Sequence, residues 1–175
     1  MKHAKFTYWM ILAGGVVWCS AIFLAPVFAS SSGNLKTAGG ILYAFFSPIC
    51  HQMEWRSFFI NGMPLGVCSR CSAIYFSFLI GALIYPAVRN IGKADIPSRW
   101  VLIFSCVPML VDAFPWRFGM YEATLATRAI TGSVAGFALA FFIVPAAIQG
   151  VAELTINRST VFYQRKGISD ATETR

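Results

Sequence analysis

Cys68 and Cys71 form a C-x-x-C pair with Ser69 and Arg70 between them, and Cys50 and His51 stand side by side upstream. Cys71 opens a long apolar run, which places the pair at the start of a helix. Residues three apart share a helical face, so both sulfurs can point one way. The positive end of the helix favours negative charge and so draws a thiol toward its thiolate. Arg70 acts in the same sense if it turns toward the sulfurs. The thiolate is both a nucleophile and a metal ligand, so two chemistries follow.

The first chemistry is a metal site of Cys50, His51, Cys68 and Cys71. Two cysteines from C-x-x-C plus a Cys or His from elsewhere make an ordinary ligand set for zinc or iron. The adjacency of Cys50 and His51 works against it, because neighbouring side chains need not converge. Haem attachment is disfavoured: Ser72 stands where C-x-x-C-H needs histidine. The second chemistry is thiol–disulfide exchange, with Cys50 as partner thiol, but the chain lacks a clear second cysteine pair. A plainer reading is a disulfide from Cys50 to Cys68 or Cys71 that pins a loop. Cys19 and Cys106 lie inside apolar runs and read as small packing residues.

Ionisable residues gather near the same level of the chain. Glu54 and Arg56 follow Cys50-His51, Asp112 lies near the end of one apolar run, and Arg128 starts the next, with Arg117 and Glu122 between them. Such groups at membrane depth are costly and are candidates for function. Gln52, Arg56, Arg70, Asp112 and Arg128 are therefore expected to support the site. The plainer role for Asp112 is an ion pair with Arg128 or Arg117.

The setting that must position these groups is apolar. Charged residues are 12% of the 175, against about 25% in soluble domains, and hydrophobic residues are 57%. Mean hydropathy is +0.64. These values exclude a soluble globular domain as the default and exclude disorder. The net charge of +7 forms no basic stripe, so nucleic acid is not expected as a partner.

Four stretches, about 6–28, 71–88, 98–116 and 129–151, are long enough to cross about 30 Å of hydrocarbon. A further apolar stretch, about 41–60, is interrupted by His51, Glu54 and Arg56, and reads as a short interfacial or re-entrant helix. Residues 152–175 form a polar tail expected to fray. The fold class expected is thus an all-α integral membrane bundle of four transmembrane helices plus that short helix. Residues 1–151 form one domain.

Four spans put both termini on one side. Lys2, Lys5, Arg89, Lys93, Arg99, Arg158, Arg165, Lys166 and Arg175 fall on that side, against Lys36, Arg56, Arg70, Arg117 and Arg128. The excess of Lys and Arg places both termini in the cytoplasm and the cysteines at the outer face of the cell's inner (cytoplasmic) membrane. Lys2 and Lys5 before an apolar run ending Val27-Phe28-Ala29 also resemble a signal peptide, although the run is about twice the usual length. Cleavage there leaves three spans and the same orientation. Gly132 and Gly136 make a G-x-x-x-G step that suits packing within the chain, or pairing with a second copy. A transporter is poorly supported, since no pair of Gly/Pro-broken spans is present.

One resemblance gathers these residues. Ser47-Pro48-Ile49-Cys50-His51-Gln52, then Arg56-Ser57, then Cys68-Ser69-Arg70-Cys71 and Tyr75 resemble the small prokaryotic membrane proteins catalogued as domain of unknown function 2085. Their hallmark is C-H-Q followed by C-x-R-C opening a membrane helix. Pro108, Asp112, Arg128 and Thr131-Gly132 extend the resemblance over about 42–136. Ala73, Ser77 and Ala113 replace glycines that the family favours, changes that bear on packing rather than chemistry. The resemblance implies a multi-pass membrane protein and no particular reaction. The residues themselves point to a Cys/His site, metal-binding first. Thiol redox, or a non-enzymatic assembly subunit with a structural disulfide, is the alternative.

Overall fold

A computed structural model describes residues 2–91, 95–117 and 123–173, without the side chains of Lys2, of 113–117 and of 156–173. Of the charges weighed above, Lys93, Glu122 and Arg175 lie outside the described residues, as do the side chains of Lys2, Arg117, Arg158, Arg165 and Lys166.

The described residues are mostly helical: α1 (Lys2–Ala29), α2 (Asn34–Phe46), α3 (Ser69–Val88), α4 (Arg99–Arg117) and α5 (Leu125–Glu173). Among the described residues, three helices carry segments long and apolar enough to cross a membrane, His3–Ala29, Ser69–Val88 and Leu125–Thr155. Helix α5 continues past residue 152 to Glu173.

Side-chain contacts give the helix directions. Tyr8 donates its hydroxyl to the Ala82 carbonyl at 3.1 Å, and Trp18 meets Tyr75 edge-on at 5.6 Å, so α1 and α3 run antiparallel. A Cβ on Gly132 would stand 2.7 Å from the Arg70 carbonyl oxygen, and one on Gly81 2.8 Å from the Ala140 Cβ. Helices α3 and α5 are therefore parallel. Asp112, near the end of α4, pairs with Arg70 at the start of α3, so α4 runs the other way.

The Gly132/Gly136 step explains the closest packing. A Cβ on Gly136 would fall 2.3 Å from both the Ile74 carbonyl oxygen and the Ser77 hydroxyl oxygen. Only a residue without a side chain allows this approach, and lipid offers no apolar burial to drive it otherwise. The face is filled by α3 of the same chain, the packing within the chain that the step suits.

Two apolar clusters hold the bundle. Toward the end of α3 at Val88 (the lower end), Tyr8, Leu12, Ala82, Tyr85, Ala140, Val144 and Ile148 pack together. Toward the end at Ser69 (the upper end), Ile22, Phe46, Cys50, Leu65 and Val67 do so, with Trp18 and Tyr75 against them. Helix α1 contributes to both and is built into the packing.

The expected helix over 41–60 lies elsewhere. It is α2, which starts at Asn34 after Gly33 turns the chain in the left-handed region (φ 65°). Gly39 lets α2 lie directly on the end of α1, where a Cβ would meet the Ala29 backbone at 2.4 Å. Pro48 ends it because proline has no N–H to continue the ladder. The Cys50 N–H closes it on the Phe46 carbonyl at 3.0 Å. Cys50 and His51 consequently sit on a loop. That loop continues through a 3-10 turn, Glu54–Arg56, into a hairpin of β1 (Phe59–Ile60) and β2 (Met63–Pro64). Asn61 and Gly62 form its tip with φ of 51° and 75°, the positive angles a two-residue hairpin turn requires.

Candidate metal centre

The loop after α2 returns to the bundle at Gly66, whose N–H donates to the Ile22 carbonyl at 3.3 Å. Gly66 has no room for a side chain: Phe46, Ala25 and the Ile22 oxygen all lie within about 3.3 Å of where a Cβ would stand. Gln52, held in the left-handed region at φ 48°, fastens the loop further. Its amide donates to the Tyr43 carbonyl at 2.9 Å and to the Gly66 carbonyl at 2.8 Å. One side chain thus ties α2, the Cys50 loop and the approach to α3 together.

Cys68 caps α3 in extended conformation (φ −63°, ψ 162°), with its carbonyl accepting the Ser72 N–H at 2.9 Å. Cys71 follows in the first turn. Cys50 arrives from the loop and its Sγ accepts the Cys68 backbone N–H at 3.2 Å. The three Sγ atoms lie within 4.8 Å of one another. Sulfurs bound at about 2.3 Å to a tetrahedral ion stand about 3.8 Å apart, so little movement separates this arrangement from a three-sulfur metal site. All three are free thiols. The Cys68 and Cys71 side chains and the Cys68 N–H hydrogen-bond to the Cys50 sulfur and hold that thiol far below its ordinary pKa, outweighing the opposing effect of burial.

His51 is not in this group. Its ring is exposed on the rim of a cleft of about 430 Å³ that opens beside the thiols. Adjacent residues on a turning backbone send their side chains apart, so three of the four expected ligands converge and the fourth does not. The same cleft is lined by Arg56, Arg70, Arg128, Gln52, Ile49 and Met53. Arg70 pairs with Asp112, so the ion pair expected for Asp112 forms with a different arginine. Both are largely withdrawn from solvent, with side-chain exposures of 21% and 6%. Arg128 is buried and donates its Nε–H to the Ala123 carbonyl at 3.1 Å. Cys19, buried in α1, and Cys106, in α4, stay apart from the cluster, as expected for packing residues.

The sequence reading missed the hairpin, although Asn61-Gly62 between apolar residues is a strong turn signal. It also missed Tyr43, whose hydroxyl donates to the Pro64 carbonyl and fastens the hairpin to α2. A tyrosine in an apolar run carries no local mark of that role.

Comparison with known proteins places these residues in context. The family described as "Predicted membrane protein (DUF2085)" matches residues 50–142. An uncharacterized protein, MJ1492, of Methanocaldococcus jannaschii is 41% identical over 79% of this chain and 90% of its own length. An uncharacterized protein of Methanothermobacter thermautotrophicus is 31% identical over 54% of this chain and 84% of its own length. No solved structure matches.

Proposed function

The chain belongs to the DUF2085 family of predicted membrane proteins, and from the geometry of its thiols we propose that Cys50, Cys68 and Cys71 bind one zinc or iron ion. The observation that carries this reading is the convergence of three thiols from two separate segments within 4.8 Å. A structural disulfide needs two sulfurs and leaves the third without purpose. A metal held by the three thiolates would keep one coordination position for an outside ligand. His51 stands at the rim, near enough in sequence to meet whatever enters. Gln52 supports the site by holding the loop, Arg70 and Asp112 by locking α3 to α4, and Arg56 and Arg128 by lining the entrance.

The setting in this reading is a four-span bundle in the cytoplasmic membrane. Helix α4 supplies the fourth span. It is 19 residues long, about 28 Å, and antiparallel to α3 and α5. Residues 1–151 form the membrane domain, and the helical extension beyond them is cytoplasmic. The excess of Lys and Arg toward the lower end supports cytoplasmic termini and an outward-facing site.

Purification without oxygen, with metal analysis and a count of free thiols before and after reduction, tests the metal. Near-stoichiometric zinc or iron that disappears in Cys50→Ser, Cys68→Ser and Cys71→Ser is expected. A metal-free protein with a reducible disulfide among these cysteines would sink the reading and leave thiol redox. A disulfide that resists mild reductant would leave only a structural lock.

A further inference from the structure

The cleft beside the thiols is lined by three guanidinium groups brought from three separate segments. Arg56 comes from the 3-10 turn, Arg70 from the first turn of α3, and Arg128 from the first turn of α5. Their placement runs against ordinary electrostatics. Cations are favoured at helix C-termini, yet Arg70 and Arg128 stand at the positive N-terminal ends of their helices. Arg56 and Arg70 both act on the Arg128 charge, and Asp112 and Cys68 offset part of that positive charge.

Depth adds to the cost. Helix α1 continues seven residues beyond Ile22, and α5 begins seven residues before Gly132, so both rise about 10 Å above the start of α3. The cleft is therefore recessed below the top of the bundle, where ionisable groups are expensive. Asp112 answers Arg70 on one side, but the Arg70 Nε–H remains buried with no hydrogen-bond partner among the described residues. Packing alone has no use for such a convergence. An anion in the cleft offsets both the gathered positive charge and the opposed helix ends.

We infer that this cleft binds a phosphate group. Guanidinium forks match tetrahedral oxyanions with paired hydrogen bonds, which a single ammonium cannot do. The cleft, about 430 Å³, falls in the range of small-molecule sites. Ile49 and Met53 give it an apolar wall, so the phosphate is one end of a partly apolar molecule or of a lipid. This site stands on the arginines and does not require the metal.

The test uses the full chain in neutral detergent, with metal content measured on every sample. Equilibrium dialysis with labelled inorganic phosphate reads the free source. Native mass spectrometry from mixed phosphatidylcholine and phosphatidylglycerol micelles reads the lipid source. Saturable binding in either arm is expected, falling at least about tenfold in Arg56→Gln and in Arg128→Gln and partly restored in Arg56→Lys. Arg89→Gln, at the lower end, serves as the unchanged control. Arg56 lies on a largely exposed turn, so its variant remains informative where Arg128→Gln fails to fold. Arg-dependent phosphate binding by protein that carries no metal supports this inference while overturning the metal reading. Absence of binding in both arms overturns it, as does binding indifferent to Arg56. Loss of metal in Arg56→Gln, without phosphate binding by the parent, would also overturn it by assigning the arginines to the thiolates alone.

Discussion

The Cys50 thiol is strongly perturbed by its neighbours. Its folded pKa lies below the ordinary thiol value of about 8.5 because two thiols and a backbone N–H donate to its sulfur. The sign of the linkage follows. A depressed pKa contributes stability that is fully present above the unfolded value and is lost as pH falls toward the folded one. The reduced, metal-free protein is therefore expected to lose thermal stability steadily from about pH 8.5 downward, with a thiolate ultraviolet absorbance persisting at mildly acidic pH. Cys50→Ser should flatten that dependence and remove the absorbance; an unchanged profile would place the ionised thiol elsewhere. Gln52 makes a second prediction at this scale. Gln52→Ala removes both amide hydrogen bonds and leaves the Tyr43 and Gly66 carbonyls short of a donor. A loss of about 1–3 kcal/mol is expected in thermal or denaturant unfolding. Faster metal release to a chelator should accompany it, since Cys50 and Cys68 lose their common brace.

Helix α3 is the element on which the site depends. It brings Cys68, Arg70 and Cys71 to one end, and its register against α5 is set by backbone contact at Gly132 and Gly136. Adding a methyl group at Gly136 meets the Ile74 carbonyl, which cannot yield without moving the helix. Gly136→Ala should cost about 1–3 kcal/mol as overpacking and lower bound metal in proportion to the displacement of α3. Gly150→Ala, where nothing lies within 4 Å, provides the matched control and should leave both readouts unchanged. Equal effects of the two substitutions in unfolding and metal analysis would rule out the register argument. Helix α2 plays the complementary part: closed by Pro48 and the Cys50 N–H, it delivers the loop at the level of Ile22 rather than at the top of α1.

The whole molecule is an antiparallel arrangement in which the start of α1 and the Val144–Ile148 stretch of α5 share the lower end. Four spans with cytoplasmic termini require the turn at 30–33 to face outward and the Asp95–Ser98 segment to face the cytoplasm. In a cysteine-depleted background, Ser32→Cys in intact cells should react with a membrane-impermeant thiol reagent. Asp95→Cys should react only after permeabilisation. The reverse pattern would turn the bundle over and move the thiols into the reducing cytosol. Labelling of both positions from one side would remove α3 from the membrane, since it is the proposed span between them.

The sequence by itself determined the membrane class, because a charge deficit and long uncharged runs are properties of composition and length. It also determined which residues carry chemistry, because Cys68 and Cys71 are bound to lie together at a helix start by spacing alone. It could not place Cys50 against them, or exclude His51, because that depends on α2 folding back along α1. The contacts responsible, Gly39 on Ala29 and Gly66 on Ile22, are invisible to local periodicity. The expected helix over 41–60 failed for the same reason: apolar content marks burial, whereas the boundaries came from Gly33, Pro48 and the Asn61-Gly62 turn. The pairing of Asp112 with Arg70, and the use of the Gly132/Gly136 face within the chain, are choices among near-equal partners. Only the packed bundle decides them, since helix–helix distance and register follow from backbone contact and not from any residue taken alone.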